Sequence, residues 1–325
     1  TKTGYTFNGW TGSNGSSPQT SVTISKGSQG DKTYTANWTA KSYTITYNCN
    51  GGSGSTASSS HTYDVAKNLS SNGCYKITDG TSGMVYYMAG WSTSSSASTA
   101  TYNDKQSVSG VGSGTNVTLY AVWKNLFSYT GSKNVIHDGN GNWRIKFLTS
   151  GTLKFTNLGT ATIGIDAFLV GGGGGTYENG TSGASGGGGG GYTKTKKNIT
   201  VEQGTNYPIV VGAGGQAGAN GGSSSGFGQS VSGGQGRSNN SSGGNGGSGG
   251  ATYYNGNGGS NGGNGTGTGN TPGTGQGTTT REFGESNGTL YSGGGACAVT
   301  NNVGYAGGAG GGGNPQQNGT ANTGG

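Results

Sequence analysis

The densest charged spot in the chain is Arg281, Glu282 and Glu285 in "TTTREFGES". Two carboxylates so close in sequence are the residue types that cleave glycosidic bonds as acid and base. The structural alternative is that one glutamate pairs with Arg281 and anchors the segment while Phe283 makes a small hydrophobic plug. That alternative is the expectation here, and no catalytic residue is assigned. His61 and His137 fall in different modules, with no Asp or Cys at a spacing that builds a triad or a zinc site, so neither an enzyme nor a metal is expected. Cys49, Cys74 and Cys297 show no metal-type spacing either. Cys49 and Cys74 lie in one module, where they can pair in an oxidising compartment or stay as two thiols; the spacing leaves both open.

"PIVVGAGGQAG", Pro208 to Gly218, has the letters of a dinucleotide-binding turn, with Gly212, Gly214 and Ala217 at the required offsets. That turn works only if a helix starts inside it, because the helix N-terminus holds the pyrophosphate. The next stretch of chain, "GANGGSSSGFGQSVSGG", has no helical period and no carboxylate. No cofactor is expected.

The elements that carry these residues fall into two compositional regimes. Of 79 glycines in 325 residues, 22 lie in residues 1–170 and 57 in residues 171–325. Only 8% of residues are charged, and the 27% that are hydrophobic fall well below the roughly 45–50% of ordinary globular chains, so a side-chain core cannot run throughout. The formal charge is +7, yet no basic run exceeds the Lys196–Lys197 pair, and nucleic acid is not an expected partner. No apolar stretch approaches the roughly 18 residues of a membrane span. The residues from Thr1 onward contain no initiator Met and no signal peptide and look like the middle of a repeat, so a processed or partial product is expected.

Residues 1–123 repeat internally. "GYTFNGWTG" (Gly4 to Gly12) matches "MAGWSTS" (Met88 to Ser94), and "YTANW" (Tyr34 to Trp38) matches "LYAVW" (Leu119 to Trp123). The complete copy opens on "YTITYNCNGGSG", in which Tyr43, Ile45 and Tyr47 alternate with threonine before an Asn-Gly turn: a strand, then a turn. Trp10, Trp38, Trp91 and Trp123 recur with the repeat frame and are read as core plugs rather than sugar platforms. The middle, "SSNGCYKITDGTSGMVYYM", is long and has room for an extra hairpin. The pattern resembles the internalin-type B repeat, a β-grasp-like module of bacterial surface proteins and phage tail proteins. The resemblance implies the C-terminal part of one repeat at residues 1–38 and a whole repeat at 39–123.

A linker is expected at 124–142. "NWRIKFLTSGTLKFTN" then reads as a hairpin turning at Thr149 to Gly151. Apolar strands end in glycine runs at "FLVGGGGG" and at "YPIVVGAGG", where Val210 and Val211 finish the strand. A β-rich, sandwich-like base is therefore expected over 143–211, bearing glycine segments over 212–325. "GGNGGSGGA" (Gly243 to Ala251) repeats every three residues, the period of the polyproline II helix, and related triplets recur at 258–269 and 307–315. Broken triplets and only four prolines exclude collagen. Two states remain open for this region, plain disorder and a lattice of side-by-side helices whose backbone hydrogen bonds replace an oily core.

These segments, together with "LYSGGGACA" and "GGAGGGGNP", resemble the glycine-rich domain of phage tail-fibre and tail-tip proteins, over about residues 143–325. The resemblance implies a mainly β fold, β-grasp-like repeats followed by a sandwich-like base bearing a polyglycine II helix bundle. It also implies an extracellular adhesin, on a virion tail or a bacterial cell surface, that binds a bacterial surface receptor, glycan or outer protein, and assembles with other fibre subunits. Homo-oligomerisation is compatible, but no heptad sets a register. Residues for recognition should be polar or aromatic at breaks between triplets: Tyr253, Tyr254 and Asn255 in "ATYYNGNGG", Tyr177 and Glu178 in "GTYENG", and Tyr305 in "NNVGYAGG". They serve equally well as covers for the lattice ends. A bacterial surface or matrix fibre built from the same modules is the second functional class, and ice binding by flat glycine faces a third.

Overall fold

The computed structural model describes residues 1–159, 163–176, 185–237, 242–252, 255–297 and 305–325. The protein is mainly β. Apart from single 3₁₀ turns at Val111–Gly114 and Glu282–Gly284, the described residues hold no helix, and none is long and apolar enough to cross a membrane. The chain divides into two compact units: Thr1–Thr78, Met84–Leu126 and His137–Trp143 form the first, and the remainder forms the second.

In the first unit, β1 (Tyr5–Gly12), β2 (Gly15–Gln19) and β3 (Tyr34–Ala40) make a three-stranded sheet in the order β2-β1-β3. The complete repeat contributes β4 (Ser42–Asn48), β5 (Ser53–Gly54), β6 (Ser59–Thr62), β7 (Lys67–Asn68), β8 (Cys74–Thr78), β9 (Met84–Ser92), β10 (Ser107–Val108) and β11 (Val117–Asn125). Six of these form one sheet, β5-β8-β9-β11-β4-β6, in which β11 runs parallel to β4. The long middle segment is the β8–β9 hairpin.

The repeat is visible in the strand register. Trp10 faces Ala36 and Gly9 faces Asn37; Trp91 faces Ala121 and Gly90 faces Val122. Both pairs then skip one residue, Asn8 or Ala89, before Phe7 meets Trp38 and Met88 meets Trp123. The same bulge in both copies fixes the same twist. Alternation puts Tyr43, Ile45, Leu119 and Ala121 into a core closed by Trp91, which is fully buried. Trp123 is half-buried, and its indole N–H donates to the carbonyl of Cys49 at 2.8 Å. Trp10 is not a core plug. It is 37% exposed, and its ring meets that of Phe7 edge-on with centres 5.4 Å apart. Cys49 and Cys74 form a disulfide with Cα atoms 5.5 Å apart.

Residues 124–142 are not a linker. β11 continues to Asn125, and β12 (Phe127–Tyr129) and β13 (Lys133–Gly139) come directly after it. β13 pairs with β14 (Asn142–Phe147) through Asn140 and Gly141 at φ of 51° and 80°. Asn-Gly is the pair best suited to such left-handed turn positions, so this turn, not Thr149–Gly151, closes the hairpin. β15 (Gly151–Phe155) joins the sheet β12-β15-β18, whose third strand is β18 (Asn206–Ile209). β18 stops at Ile209, and Val210 adds only an isolated bridge to Ser225. β16 (Ile163–Val170) pairs with β17 (Thr193–Val201), and β19 (Ser224–Gly226) with β20 (Gln229–Val231). Ala167 and Leu169 point from the β16–β17 ribbon towards Val231 and Phe227. Phe168, on the opposite face, meets Phe283 and Tyr291.

Beyond these strands, backbone hydrogen bonds between glycine segments make up most of the contacts of the second unit. In Ser292–Cys297, Gly293 donates to Gly310, Gly294 to Gly259 and Gly295 to Gly188. Ala296 then returns to the first neighbour at Gly313, and Cys297 to the second at Gly256. Gly187–Tyr192 repeats the pattern: Gly187 and Gly190 donate to Ala251 and Ser248, while Gly189 and Tyr192 donate to Gln235 and Ser232. A flat sheet bonds to two neighbours in one plane, whereas here each neighbour is revisited every third residue. Segments lie so close that a side chain does not fit: a Cβ on Gly191 would fall on the carbonyl of Gly171, and one on Gly250 on that of Gly187.

Candidate functional site

The hydrogen-bond register gives every glycine segment a direction. Gly171–Gly175 leaves the end of β16, and the segment Gly187–Tyr192 returns antiparallel into β17, with Gly171 donating to Tyr192 and Gly174 to Gly189. Gly172 and Gly175 donate to Gly222 and Ala219, so the chain descending to β19 is antiparallel as well. Gly234 and Arg237 donate to Gly172 and Gly175, so the segment leaving β20 is parallel. The alternation persists beyond the strands. Gly249 and Thr252 donate to Gly263 and Thr266 in parallel register, and Gly273 and Gln276 to Gly250 and Gly247 in antiparallel register.

Reversal after reversal sorts the connections onto two ends of the lattice. One end holds β16, β17, β19 and β20, with the tight turns at Gly246–Ser248 and Ser260–Gly262. The other end holds Gln216–Ala219, Gly267–Pro272 and Asn314–Asn318, together with Thr176, Ser185, Arg237, Thr252, Asn255, Cys297 and Tyr305. The latter residues are the described flanks of the remaining connections. Bridges Thr176–Arg237 and Gly256–Cys297 tie those flanks to each other.

Asn255 and Tyr305 are therefore brought to one place. Gly258 donates to the carbonyl of Ala306, and the amide of Ala306 donates to Asn257 Oδ1 at 2.9 Å, which sets the two chain segments side by side. Asn255 is half-buried at φ of 40°, a conformation that Asn tolerates, and Tyr305 is half-exposed. Tyr253, Tyr254, Tyr177 and Glu178 lie outside the described residues.

Sequence reasoning passed over Gln216, Thr268, Asn270, Gln317 and Asn318, which are exposed at the same end. The available signal was turn chemistry: Gly218 at φ of 76°, Gly267 at 137° and Gln316 at 59° mark reversals inside the glycine runs. Among the described residues of this end the only charged side chain is Arg237, whose guanidinium donates to Gln235 Oε1 at 3.0 Å. The surface is one of amides, hydroxyls and small residues.

A family model described as a glycine-rich domain matches residues 148–325. The chain belongs to that family. Comparison with curated proteins and with solved structures returns no match. Within the glycine-rich domain, "TTTREFGES" sits at the strand end, away from the loops. Arg281 does not pair with a glutamate there: its guanidinium donates to the carbonyl of Gly288 at 2.9 Å. Glu282 is held instead by Arg144 of β14, at 2.9 Å, because the 3₁₀ turn aims it at that strand. Phe283 is half-buried against Phe168, with ring centres 6.0 Å apart. Tyr291 is buried edge-on to Phe168, with ring centres 5.4 Å apart, and the ammonium of Lys146 lies 5.2 Å from its ring centre. The segment thus buckles onto one face of the β16–β17 ribbon.

The two histidines sit in separate packing environments. His61 is buried, stacks on Tyr43 at 5.6 Å and shares a hydrogen bond with Ser59 Oγ at 2.8 Å. Burial, and then the charge of Lys67, lower its pKa. His137 lies against Tyr75 at 5.4 Å.

Proposed function

We propose that the protein is a non-enzymatic adhesin, the receptor-binding component of a phage tail fibre or tail tip, which contacts a glycan of the bacterial surface. The single observation that carries this reading is that the lattice end opposite the strands is formed by exposed connections rich in amides and hydroxyls. A rigid backbone framework with variable connections at one end is a support on which recognition residues can change without disturbing the fold. The period-three hydrogen bonding supports reading the glycine segments as polyglycine II helices, since three residues per turn send successive N–H groups to different neighbours. The common register and bulge of the N-terminal copies support a stalk of β-grasp-like repeats.

Among the described residues of the loop end Arg237 alone is charged, which favours a neutral glycan over a phosphate-rich receptor. Amides and hydroxyls supply directional hydrogen bonds, and Tyr305, with Tyr253 and Tyr254 in the adjoining sequence, supplies stacking faces. Fluorescently labelled full-length chain should bind intact bacterial cells, and Tyr253→Ala with Tyr254→Ala should weaken that binding without shifting the unfolding midpoint. Periodate treatment of the cells should abolish it, and protease treatment should spare it. Failure to bind any bacterial envelope would leave the second class, a structural fibre of the cell surface or matrix.

A further inference from the structure

Fourteen Asn-Gly pairs stand in the sequence, and all but Asn179-Gly180 lie among the described residues. Asn-Gly is the pair at which an asparagine modifies itself most readily, because glycine has no Cβ to obstruct its own backbone nitrogen. That nitrogen gives up its proton to hydroxide and attacks the side-chain Cγ. The N–Cγ bond forms, the Cγ–Nδ2 bond breaks, and Nδ2 takes a proton from water and leaves as ammonia. Water then opens the cyclic imide at either carbonyl, which leaves aspartate or isoaspartate. Two things block the reaction: a hydrogen bond that holds the glycine N–H, and hydrogen bonds that hold the asparagine amide away from it.

Both blocks operate across the glycine lattice. Gly221, Gly246, Gly258 and Gly265 donate their N–H groups to the carbonyls of Gly234, Thr274, Ala306 and Gly273. The asparagine before each is held too, because its Oδ1 stands in for a carbonyl. Asn220 accepts from the amide of Gly236, Asn245 from Thr274, Asn257 from Ala306 and Asn264 from Gly275. Gly262 donates to Ser248 Oγ while Asn261 Oδ1 accepts from Thr279. Gly256 and Gly288 donate to the carbonyls of Cys297 and Glu285. In the first unit Gly73 donates to Thr56 Oγ1, and Asn8, Asn14 and Asn50 donate through Nδ2 to Thr39, Trp10 and Ser95. Two pairs are left, Asn140-Gly141 and Asn318-Gly319. Neither their glycine N–H groups nor their side-chain amides meet a hydrogen-bond partner among the described residues.

We propose that Asn318 is a site of spontaneous deamidation in the folded protein, with hydroxide and water as the only co-reactants. Asn140 is restrained by its hairpin turn. It and Gly141 occupy the left-handed region, at φ of 51° and 80°, and there the Cβ of an asparagine lies across the Cα–C bond from the following nitrogen. Asn318 is exposed and is not among the residues at positive φ, so rotation about its Cα–C bond brings Cγ onto the nitrogen of Gly319. The reaction turns a neutral amide into a carboxylate at the loop end, where Arg237 is the only charged side chain among the described residues. The site does not depend on the adhesin reading.

The test is peptide mapping by mass spectrometry on the full chain, aged in mildly alkaline, ammonia-free buffer with and without denaturant. In the folded chain Asn318 should convert to aspartate and isoaspartate roughly tenfold or more faster than Asn220, Asn245, Asn257 and Asn264, whose reaction waits on opening of the lattice. In denaturant all of these should convert at rates within about threefold of one another, since each is then followed by an unrestrained glycine. Asn318→Gln should remove the product at that position, because the longer side chain closes the ring poorly, and Asn140→Gln should leave the rate at Asn318 unchanged. A rate at Asn318 no faster than at the lattice asparagines, a faster rate at Asn140, or a ranking that persists in denaturant would overturn the assignment.

Discussion

At Gly191 the space for one methyl group is already taken by the carbonyl of Gly171, whereas at Gly214 a Cβ would meet nothing. Gly191→Ala should therefore cost the second unit about 3 kcal/mol in urea unfolding, as overpacking does, and Gly214→Ala within about 0.5 kcal/mol of nothing. Composition located the glycine-rich region; it did not say which glycines are locked. Cys297 is buried, and burial pushes its thiol up to about 11. It should resist alkylation at pH 8 until the chain is unfolded in denaturant, as mass spectrometry would record. His61 carries a pH dependence of definite sign. Its folded pKa is lowered by burial, so the unfolded chain takes up the proton first. The first unit should keep its full stability above about pH 6.5 and lose it as pH falls towards the folded value. His61→Gln should flatten that slope in denaturation midpoints measured between pH 7.5 and 5.

Among the elements, those with alternating apolar residues were legible. β4 follows from Tyr43, Ile45 and Tyr47, β9 and β11 from the tryptophan frame, and the glycine runs after β16 and β18 from the abrupt loss of side chains. Pairing was less legible. β14 and β15 are both strands, as their alternation says, but the chain offered two turns and the closer match to left-handed geometry was Asn140-Gly141. The disulfide was left open by spacing and is decided by β5 pairing with β8, which sets Gly54 opposite Cys74 and brings Cys49 within reach. Closing a loop of 25 residues, it should contribute roughly 3 kcal/mol. Cys49→Ser with Cys74→Ser should lower the unfolding free energy of the first unit by that amount and leave the second unchanged.

For the molecule as a whole, the two ends of the lattice make a prediction that no single residue does. Gln216→Ala, Gln317→Ala and Asn318→Ala, all at the loop end, should together weaken cell binding with an unchanged melting temperature. Asn261→Ala, at the strand end, should do the reverse. It removes the acceptor of Thr279 Oγ1, at 2.6 Å, and so loosens the segment that carries Glu282. Cell-binding isotherms and thermal melts on the same samples separate the two outcomes.

The sequence by itself determined that this chain is mainly β, that its first part repeats, and that its second part replaces a side-chain core with glycine. Those properties are local, because alternation, repeat frame and composition can be read without knowing what touches what. Only the tertiary structure decided the partners: that Glu282 meets Arg144 and not Arg281, that Trp10 is open where Trp91 is closed, and that Asn255 and Tyr305 come to one end. A glycine segment has no side chain with which to name its neighbour. Its partners are set by backbone hydrogen bonds across the whole lattice, and these exist only once the chain has folded.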